Sequence, residues 1–345
     1  MLKIILAILI FSFIVIFHEF GHFITAKLSG IRVNEFMVGL GPKLIGFTKG
    51  ETTYSINLLP FGGACVMEGE DQESSDERSF NNKSVFTRIL VVVAGPVFNF
   101  ILAYLLSVIM LGVMGYNPPT ISGVSEGSTA YEAGIQEGDT IISLNNYRVR
   151  FYQEISVYNF LHPGEEMNVT FERDGKRQTV SLTPKYNEEY GRYLLGVTSN
   201  GQRIKGSVWN ILCYSAYELK YQIYVTYESL VMLFTGQVSM NEMSGPVGIV
   251  KTIGDTYDES LSSGALYVVM NLINLTILLS ANIGFMNLLP IPALDGGRLL
   301  IYIVEVIRRK RMDLELEAKI NYIGFAALMA LMILIMFNDI RKLIM

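Results

Sequence analysis

The chain has 345 residues and a formal net charge of −5, and 50% of its residues are hydrophobic. Its mean hydropathy of +0.36 is too high for an ordinary soluble protein and excludes that class. The apolar residues are concentrated in a few long blocks, and nothing in the composition indicates a nucleic-acid partner. The two cysteines, Cys65 and Cys213, provide neither a disulfide framework nor the spacing of metal ligands.

The first apolar block contains the sequence HEFGH at residues 18–22. In a helix, residues i and i+4 lie on one face, so His18 and His22 can hold one Zn²⁺ with Glu19 beside it as a base. Ionisable residues are costly in hydrocarbon, which makes them functional candidates within a membrane span. We therefore predict a membrane-spanning helix over 1–28 that carries a zinc site. A cleaved signal peptide is the alternative, but no A-x-A-like cleavage site precedes the histidines.

Three further apolar blocks predict membrane spans over 89–115, 265–297 and 319–345. Each is near the roughly 20 residues that a helix needs to cross a bilayer. The chain is therefore predicted to be a polytopic α-helical membrane protein with about four transmembrane helices, and the lipid bilayer is one of its partners.

The region between the first two spans has a different character. Residues 31–47 and 52–67 are rich in Val, Ile, Phe, Thr and Gly, which is typical of short strands and hairpins. We predict a membrane-associated β-hairpin region over 29–88. The region includes an acidic loop formed by Glu68, Glu70, Asp71, Glu73, Asp76 and Glu77. A solvated loop explains these charges better than a second metal site.

The chain after the second span is predicted to leave the bilayer. Residues 116–200 alternate β-rich runs with turn residues and predict a compact, mainly β domain. Residues 201–264 are predicted to be an amphipathic region on the membrane surface, because the apolar stretch 207–234 carries three charged residues. A fifth span over 207–234 is the alternative.

A basic loop between the last two spans predicts the topology. The loop, over 298–318, contains the run Arg-Arg-Lys-Arg at residues 308–311, and the positive-inside rule puts it in the cytoplasm. Counting the spans back from this loop makes the 116–200 domain extracytoplasmic. His18 then lies about 24 Å along the first helix from its outer end. The active site is therefore predicted to lie near the cytoplasmic side.

Zinc requires at least one more protein ligand. The third predicted span ends in NLLPIPALDGG (287–297), where two prolines interrupt the helix at membrane depth. An Asp-Gly pair is usually only a turn. Asp295, however, follows an outside-to-inside span at the predicted depth of the two motif histidines, which makes it the candidate third ligand. The third histidine, His162, is predicted to be a surface turn residue beside Pro163-Gly164.

These motifs together resemble the bacterial site-2 protease family, intramembrane zinc metalloproteases of the RseP/RasP type. The resemblance extends over nearly the whole chain, and a four-span chain that combines HExxH with NxxPxPxxDGG is highly specific. Residues 123–146 are similar to a PDZ domain, so a single PDZ-like domain is expected at 116–200. The matching stretches are HEFGH, VGLGPKL (38–44), INLLPFGG (56–63), VAGPVFNF (93–100), LFTGQVSMNEMSGPVGIV (233–250) and NLLPIPALDGG.

The resemblance implies a role for each site residue. His18, His22 and Asp295 are implied to bind Zn²⁺. Glu19 is implied to be the general base that takes a proton from the attacking water and passes it to the leaving amine. Asn287 is implied to contact the substrate or to support the site by a hydrogen bond.

The resemblance also implies a cofactor and a location. Zn²⁺ is the expected cofactor, although two histidines and a carboxylate also suit other divalent metals. Arg298 stands where many relatives have His; we do not treat it as a ligand, and its role is open. The implied location is the bacterial plasma membrane, with several passes.

The implied reaction is hydrolysis of peptide bonds within or near the transmembrane helix of single-span, type II-like proteins, such as anti-sigma factors or signal-peptide remnants. An upstream site-1 protease that cuts the same substrate is a further implied partner. A helical substrate must unwind before it is cut, and an exposed strand edge would replace its lost hydrogen bonds. We predict this edge at residues 52–58.

The sequence leaves open the role of the PDZ-like domain and two alternative functions. The PDZ-like domain either filters trimmed substrates or recruits them. A catalytically silent PDZ membrane receptor or adaptor is the alternative function, although the retained Glu19 beside two ligands argues against it. A transporter is a further class, but no internal repeat is visible and HExxH would stay unexplained.

Overall fold

The computed structural model describes residues 1–70, 72, 74–238 and 244–344. Parts of three predicted regions lie outside the described residues: Asp71 and Glu73 of the acidic loop, residues 239–243 of the predicted surface region and Met345 of the last span. The chain forms two compact units, one of Met1–Leu106 with Ser239–Met345 and the other of Ser107–Val238.

Long helices dominate the first unit, whereas the second combines short strands with helices. The helices in chain order are α1 Leu2–Leu28, α2 Val85–Met114, α3 Thr129–Glu132, α4 Tyr152–Leu161, α5 Val208–Phe234, α6 Pro246–Leu261, α7 Ala265–Asn287, α8 Asp295–Arg308 and α9 Leu314–Ile344. The strands are β1 Val33–Lys49, β2 Thr52–Met67, β3 Gly123–Val124, β4 Thr140–Leu144, β5 Tyr147–Arg148, β6 Met167–Arg173, β7 Lys176–Leu182, β8 Lys185–Asn187, β9 Arg192–Leu194 and β10 Val197–Thr198.

Four helices in the described part of the chain are long and apolar enough to cross a membrane. They are α1, α2, α7 and the Leu314–Lys342 part of α9, with mean hydropathies of 2.4, 2.4, 1.7 and 2.3. The prediction of a polytopic α-helical membrane protein is therefore confirmed. By the same measure of length and hydropathy, α5 is not a candidate span among the described helices.

The β-rich region is one long hairpin rather than several short ones. Residues 35–38 of β1 pair on both sides, with residues 63–66 and with residues 53–56 of β2, and residues 43–49 return along residues 52–57. Glycines that the sequence suggests as turns lie inside the strands at shifts of register: Gly39 and Gly41 have φ of 84° and 86°, which lets the strand bend without breaking.

This pairing corrects the predicted substrate edge. Residues 53–56 are paired on both sides, so this part of the predicted segment is not an edge, whereas residues 63–67 pair only with β1 among the described strands. The strand segment 43–49 exposes Leu44, Ile45 and Phe47, whose side chains are 58%, 70% and 62% exposed. Exposed apolar side chains of this size favour contact with lipid.

Small residues bring α1, α2 and α7 into close contact. A methyl group on Gly21 of α1 would lie 2.4 Å from the carbonyl oxygen of Ala94, so the two helix backbones touch there. A methyl group on Gly284 of α7 would lie 3.0 Å from the carbonyl oxygen of Pro96. Membrane helices commonly approach through such residues. The Gly21 contact places HEFGH directly against α2.

The structure divides the region predicted over 201–264. Its first part, α5, belongs to the unit Ser107–Val238, whereas α6 packs on α1 and α7 in the other unit with Ile253 fully buried. The carboxylate of Asp339 in α9 accepts hydrogen bonds from Gly245 N at 3.1 Å and Gly248 N at 2.8 Å. These are donors at the start of α6, where backbone N–H groups lack a partner within the helix.

The structure also corrects the third span and the loop after it. The span predicted over 265–297 ends as a helix at Asn287, and α8 occupies much of the loop predicted over 298–318. Helix α8 forms because its apolar residues recur at helical spacing: Ile301 and Tyr302 are buried against α2 and the β hairpin. The irregular loop that remains, residues 309–313, contains three of the four basic residues.

Residues 116–200 of the second unit are mixed and mainly β. Strands β5-β4-β6-β7 form an antiparallel sheet in that order, and smaller pairs join β3 to β10 and β8 to β9. Alternate residues of β6 (Met167, Val169 and Phe171) are buried, which is the period expected of a half-buried strand. Helix α5 belongs to this unit, which is therefore longer than the predicted 116–200 domain.

Candidate metal centre

Helix α1 brings two imidazoles together at its buried face. His18 and His22 lie one turn apart and are 7% and 8% exposed. Their Nε2 atoms are 3.3 Å apart. The i, i+4 spacing of HEFGH produces this arrangement directly.

Asp295 joins the two histidines from the first residue of α8. Its Oδ2 atom lies 3.1 Å from His18 Nε2 and 3.5 Å from His22 Nε2. This oxygen is buried without a hydrogen-bond partner among the described residues. The structure thus brings together the three predicted ligands, and they form the only such His/Cys/Asp/Glu cluster found in the described chain.

The cluster fits a tetrahedral metal. Ligand atoms about 2.0–2.1 Å from a tetrahedral Zn²⁺ are roughly 3.3–3.4 Å from one another, and the three observed distances are 3.1, 3.3 and 3.5 Å. Oδ2 of Asp295 faces the Nε2 atoms of both histidines, so two imidazoles and a carboxylate, a ligand set that suits a divalent metal, converge on one point.

Backbone and side-chain groups of α2 contact the far side of each imidazole. His22 Nδ1 lies 2.8 Å from the carbonyl oxygen of Val91, and His18 Nδ1 lies 3.2 Å from Asn99 Nδ2. Metal-binding histidines usually have such a partner on their second ring nitrogen. The sequence gives no spacing signal for these contacts, although Asn99 lies within the family-like stretch VAGPVFNF.

A glycine of α2 makes room for the cluster. A methyl group on Gly95 would lie 2.3 Å from His22 Nε2 and 2.8 Å from His18 Cε1. The two rings therefore occupy space that any larger residue at this position would fill. Gly95 cannot be recognised from the sequence as part of the site, because a glycine within an apolar helix gives no signal of what it faces.

Glu19 faces the β hairpin. Its Oε2 accepts a hydrogen bond from the backbone N–H of Cys65 at 2.9 Å. Cys65 lies on the strand segment 63–67, whose outer side is not paired with another described strand. The predicted base is therefore oriented by the strand edge nearest to the cluster.

A cavity of about 390 Å³ opens on the cluster. Asn287, the last residue of α7, lines it, as do residues 64–67 of β2. Arg298 of α8 and Glu70 form an ion pair on the cavity wall. This contact links the loop after β2 to the helix that carries Asp295, and it gives Arg298 a structural partner that the sequence did not indicate.

The third histidine belongs to the second unit. His162 Nδ1 lies 3.2 Å from Glu165 Oε2, and His162 Nε2 lies 3.4 Å from the Tyr224 hydroxyl. It is the C-cap residue of α4 and lies outside the cluster found among the described residues.

A comparison with known protein families identifies the chain. The model of peptidase family M50 matches residues 6–331. The chain belongs to peptidase family M50. The predicted family is therefore confirmed, as are the prediction of a zinc metalloprotease and of Zn²⁺ as its cofactor.

Curated relatives of this M50 peptidase align over almost their entire length. A protein of Clostridium acetobutylicum is 39% identical over 338 residues, which cover 98% of this chain and 97% of that protein. Zinc metalloprotease RasP of Bacillus licheniformis is 33% identical and covers 97% of this chain and 98% of the relative. Regulator of sigma-W protease RasP of Bacillus subtilis is 32% identical and covers 97% of each chain.

Among solved structures, the PDZ domain of an SdrC-like protein from Listeria monocytogenes covers 24% of this M50 peptidase and 87% of its own chain. The sequence identity is 15% and the TM-score is 0.22. A score this low supports no statement about the fold, so the PDZ-like assignment stays a prediction.

Proposed function

We propose that this M50 peptidase is an intramembrane protease that hydrolyses peptide bonds within or near the transmembrane helix of single-span membrane proteins. One observation carries the proposal. His18 and His22 are buried and Asp295 is half-buried where α1, itself long and apolar enough to span a bilayer, meets α2 and α8. A hydrolytic site in this position is suited to a substrate that is itself in the membrane.

In the proposed mechanism, Nε2 of His18, Nε2 of His22 and Oδ2 of Asp295 hold Zn²⁺. When bound, this metal acts as a Lewis acid that polarises the scissile carbonyl and lowers the pKa of water. Glu19 takes a proton from the attacking water and returns it to the leaving amine. Its hydrogen bond from Cys65 N fixes one carboxylate oxygen and so orients the other.

Asn287 lines the same cavity and is proposed to contact the substrate. Its side-chain amide can donate a hydrogen bond to the carbonyl oxygen that gains negative charge during attack. Such a donor acts most strongly in a site from which bulk water is excluded.

The strand edge 63–67 supports the proposal for a helical substrate. A transmembrane helix must unwind locally before hydrolysis, and each backbone amide without a hydrogen bond costs several kcal/mol of free energy within hydrocarbon. The segment 63–67 lines the cavity beside Glu19, and its outer side is free of pairing with the other described strands. We propose that the unwound substrate adds to this edge as a strand, in place of the predicted edge at 52–58.

The proposed location is the bacterial plasma membrane. The basic residues 308–311 at the end of α8 favour a cytoplasmic position for the link between α8 and α9. By this rule the catalytic cluster lies near the cytoplasmic side and the PDZ-like domain is extracytoplasmic. That domain is proposed to select substrates, either as a filter or by recruitment.

The proposed substrates are anti-sigma factors or signal-peptide remnants, the former after an upstream site-1 protease has cut them. The name of the Bacillus subtilis relative, a regulator of sigma-W, supports the first class. The alternative is a catalytically silent PDZ receptor. The orientation of Glu19 toward the cavity favours the protease, because a receptor has no use for a positioned base.

The test compares the wild type with Glu19→Gln on a tagged type II single-span substrate in liposomes, with bound zinc measured in both. Removal of a general base costs about 10²- to 10⁴-fold in rate, so we expect Glu19→Gln to retain zinc and lose cleavage to that extent. The exposed Glu77→Gln is the matched control, with unchanged cleavage. Equal substrate binding without cleavage by any variant, across a varied substrate panel, would favour the receptor.

A further inference from the structure

Asn99 of α2 is the side chain that contacts His18 on the side away from the metal cluster. It is fully buried, and its amide nitrogen lies 3.2 Å from His18 Nδ1. Its amide oxygen Oδ1 has no hydrogen-bond partner among the described residues. A buried amide in an apolar helix is costly to retain, which points to a task at this contact.

His22 shows what that task is. Its Nδ1 faces the carbonyl oxygen of Val91 at 2.8 Å, and a carbonyl can only accept. The proton of the neutral imidazole is therefore on Nδ1. The lone pair of Nε2 is left free, and Nε2 is the atom that faces Asp295 Oδ2.

His18 needs the same tautomer to offer its own Nε2, and so its Nδ1 needs an acceptor. An asparagine amide presents both a donor and an acceptor, and a half turn about its last bond exchanges them in the same space. With the nitrogen toward His18, the ring proton would be driven to Nε2 and would block the ligand atom. With the oxygen toward His18, the ring proton stays on Nδ1.

We propose that Asn99 is a positioning residue whose Oδ1 accepts the Nδ1–H of His18 and so fixes the tautomer that binds metal through Nε2. This inference rests on the proposed zinc site. Asn99 acts through His18 and does not touch the substrate.

Helix α7 holds Asn99 in place for this role. The hydroxyl of Ser280 donates a hydrogen bond at 2.8 Å to the main-chain carbonyl oxygen of Asn99. A methyl group on Gly284 would lie 3.1 Å from Asn99 Cβ, so α7 packs directly on this residue. The orientation of a ligand on α1 therefore depends on a side chain of α2 that α7 supports.

Nitrogen NMR of histidine-labelled protein tests the tautomer directly. The chain has three histidines, so the full-length protein gives six ring-nitrogen signals, and His162→Gln identifies the pair outside the cluster. In the zinc-loaded wild type we expect His18 and His22 to be protonated on Nδ1, and both Nδ1–H groups to show the chemical shift of a hydrogen bond. A zinc-bound His18 ring whose Nδ1–H is not hydrogen-bonded would overturn the proposal.

Zinc affinity, measured by competition with a chelator, tests the consequence. Loss of a partner on the second ring nitrogen typically weakens metal binding about 10- to 100-fold, and we expect Asn99→Leu to do so. Asn99→Asp, which can only accept, should bind zinc as tightly as the wild type or more tightly. Asn271→Leu is the matched control on α7, since Asn271 contacts Ser260 rather than the cluster, and its zinc affinity should be unchanged.

The variants separate failure of this inference from failure of the proposed function. A folded Asn99→Leu protein with wild-type zinc affinity, or an Asn99→Asp protein weaker than Asn99→Leu, would overturn the role of Asn99 while the wild type still binds zinc and cleaves. A wild type that binds no zinc would overturn both. If Asn99→Leu does not fold, Asn99→Asp and the wild-type spectrum still decide.

Discussion

Gly95 lies where the faces of α1 and α2 meet, and substitution by alanine there tests the metal site most directly. The added methyl would be 2.3 Å from His22 Nε2 and 2.8 Å from His18 Cε1, whereas ordinary contacts of a Cβ begin near 3.4 Å. The nearer ring would have to move by about 1.1 Å. Metal–ligand distances tolerate about ±0.2 Å, so the displacement is roughly five times what the site can absorb.

The protein has little freedom to absorb this methyl elsewhere. Helix α2 could retreat only by opening its contact with Gly21 at Ala94 and by moving Asn99 away from His18. We therefore expect Gly95→Ala to raise the dissociation constant for zinc more than about 100-fold, which corresponds to roughly 2.7 kcal/mol, and to abolish cleavage.

Gly112→Ala is the matched control on the same helix. A methyl group at Gly112 meets no atom within 4 Å, and alanine is the better helix former by up to about 1 kcal/mol. Zinc content, chelator competition and cleavage are measured for both variants. A Gly95→Ala protein that holds zinc with wild-type affinity would refute the placement of the two imidazoles and with it the proposed ligand set.

Two further predictions concern the second unit and the strand edge. Burial raises the pKa of Glu218 from 4.5 to about 7, so the folded unit binds this proton more tightly than the unfolded chain, and its stability should fall by roughly 3 kcal/mol as pH rises from 4.5 to 7. Hydrogen exchange of α5 should show this loss of protection in the wild type and little of it in Glu218→Gln; equal pH dependence in both would contradict the assignment. The second prediction concerns the edge 63–67 and uses an inactive Glu19→Gln protein from which Cys65 and Cys213 have been removed. If the substrate pairs with this edge, a cysteine that replaces Val66 should form cross-links to alternate substrate residues, whereas a cysteine that replaces Ile45 should form none. Cross-links at every third or fourth substrate residue would indicate that the substrate binds as a helix instead.

The local motifs of the sequence predicted most of the candidate cluster. HEFGH implies an i, i+4 pair as soon as its segment is helical, and the length of the apolar block makes a helix the only reasonable assignment. The sequence also indicates Asp295, because counting the membrane spans places it at the depth of His18. These inferences need only the periodicity of a helix and the thickness of a bilayer.

The sequence predicts the boundaries of the helices less well. The two prolines after Asn287 correctly predict a break. The sequence favours a loop over α8, because the buried face with Ile301 and Tyr302 is short and a run of four basic residues begins at the last residue of the helix. The burial of this face depends on partners in α2 and the hairpin. The sequence predicts several short hairpins where the structure has one long hairpin, for a similar reason. Gly39 and Gly41 are typical turn residues, but pairing with neighbouring strand residues keeps them inside the bent strand β1.

By itself the sequence determined the four apolar spans and the histidine pair, because hydropathy and helical spacing act over short stretches of chain. The motif NLLPIPALDGG and a count of the spans indicated Asp295, and the resemblance of the motifs indicated the family. Only the tertiary structure decided what surrounds the ligands. Asn99 is 81 residues from His18, Cys65 is 46 residues from Glu19 and Arg298 is 228 residues from Glu70. Contacts of such separation have no spacing rule, because they depend on how closely helix and strand backbones approach, and residues such as Gly21 set that distance.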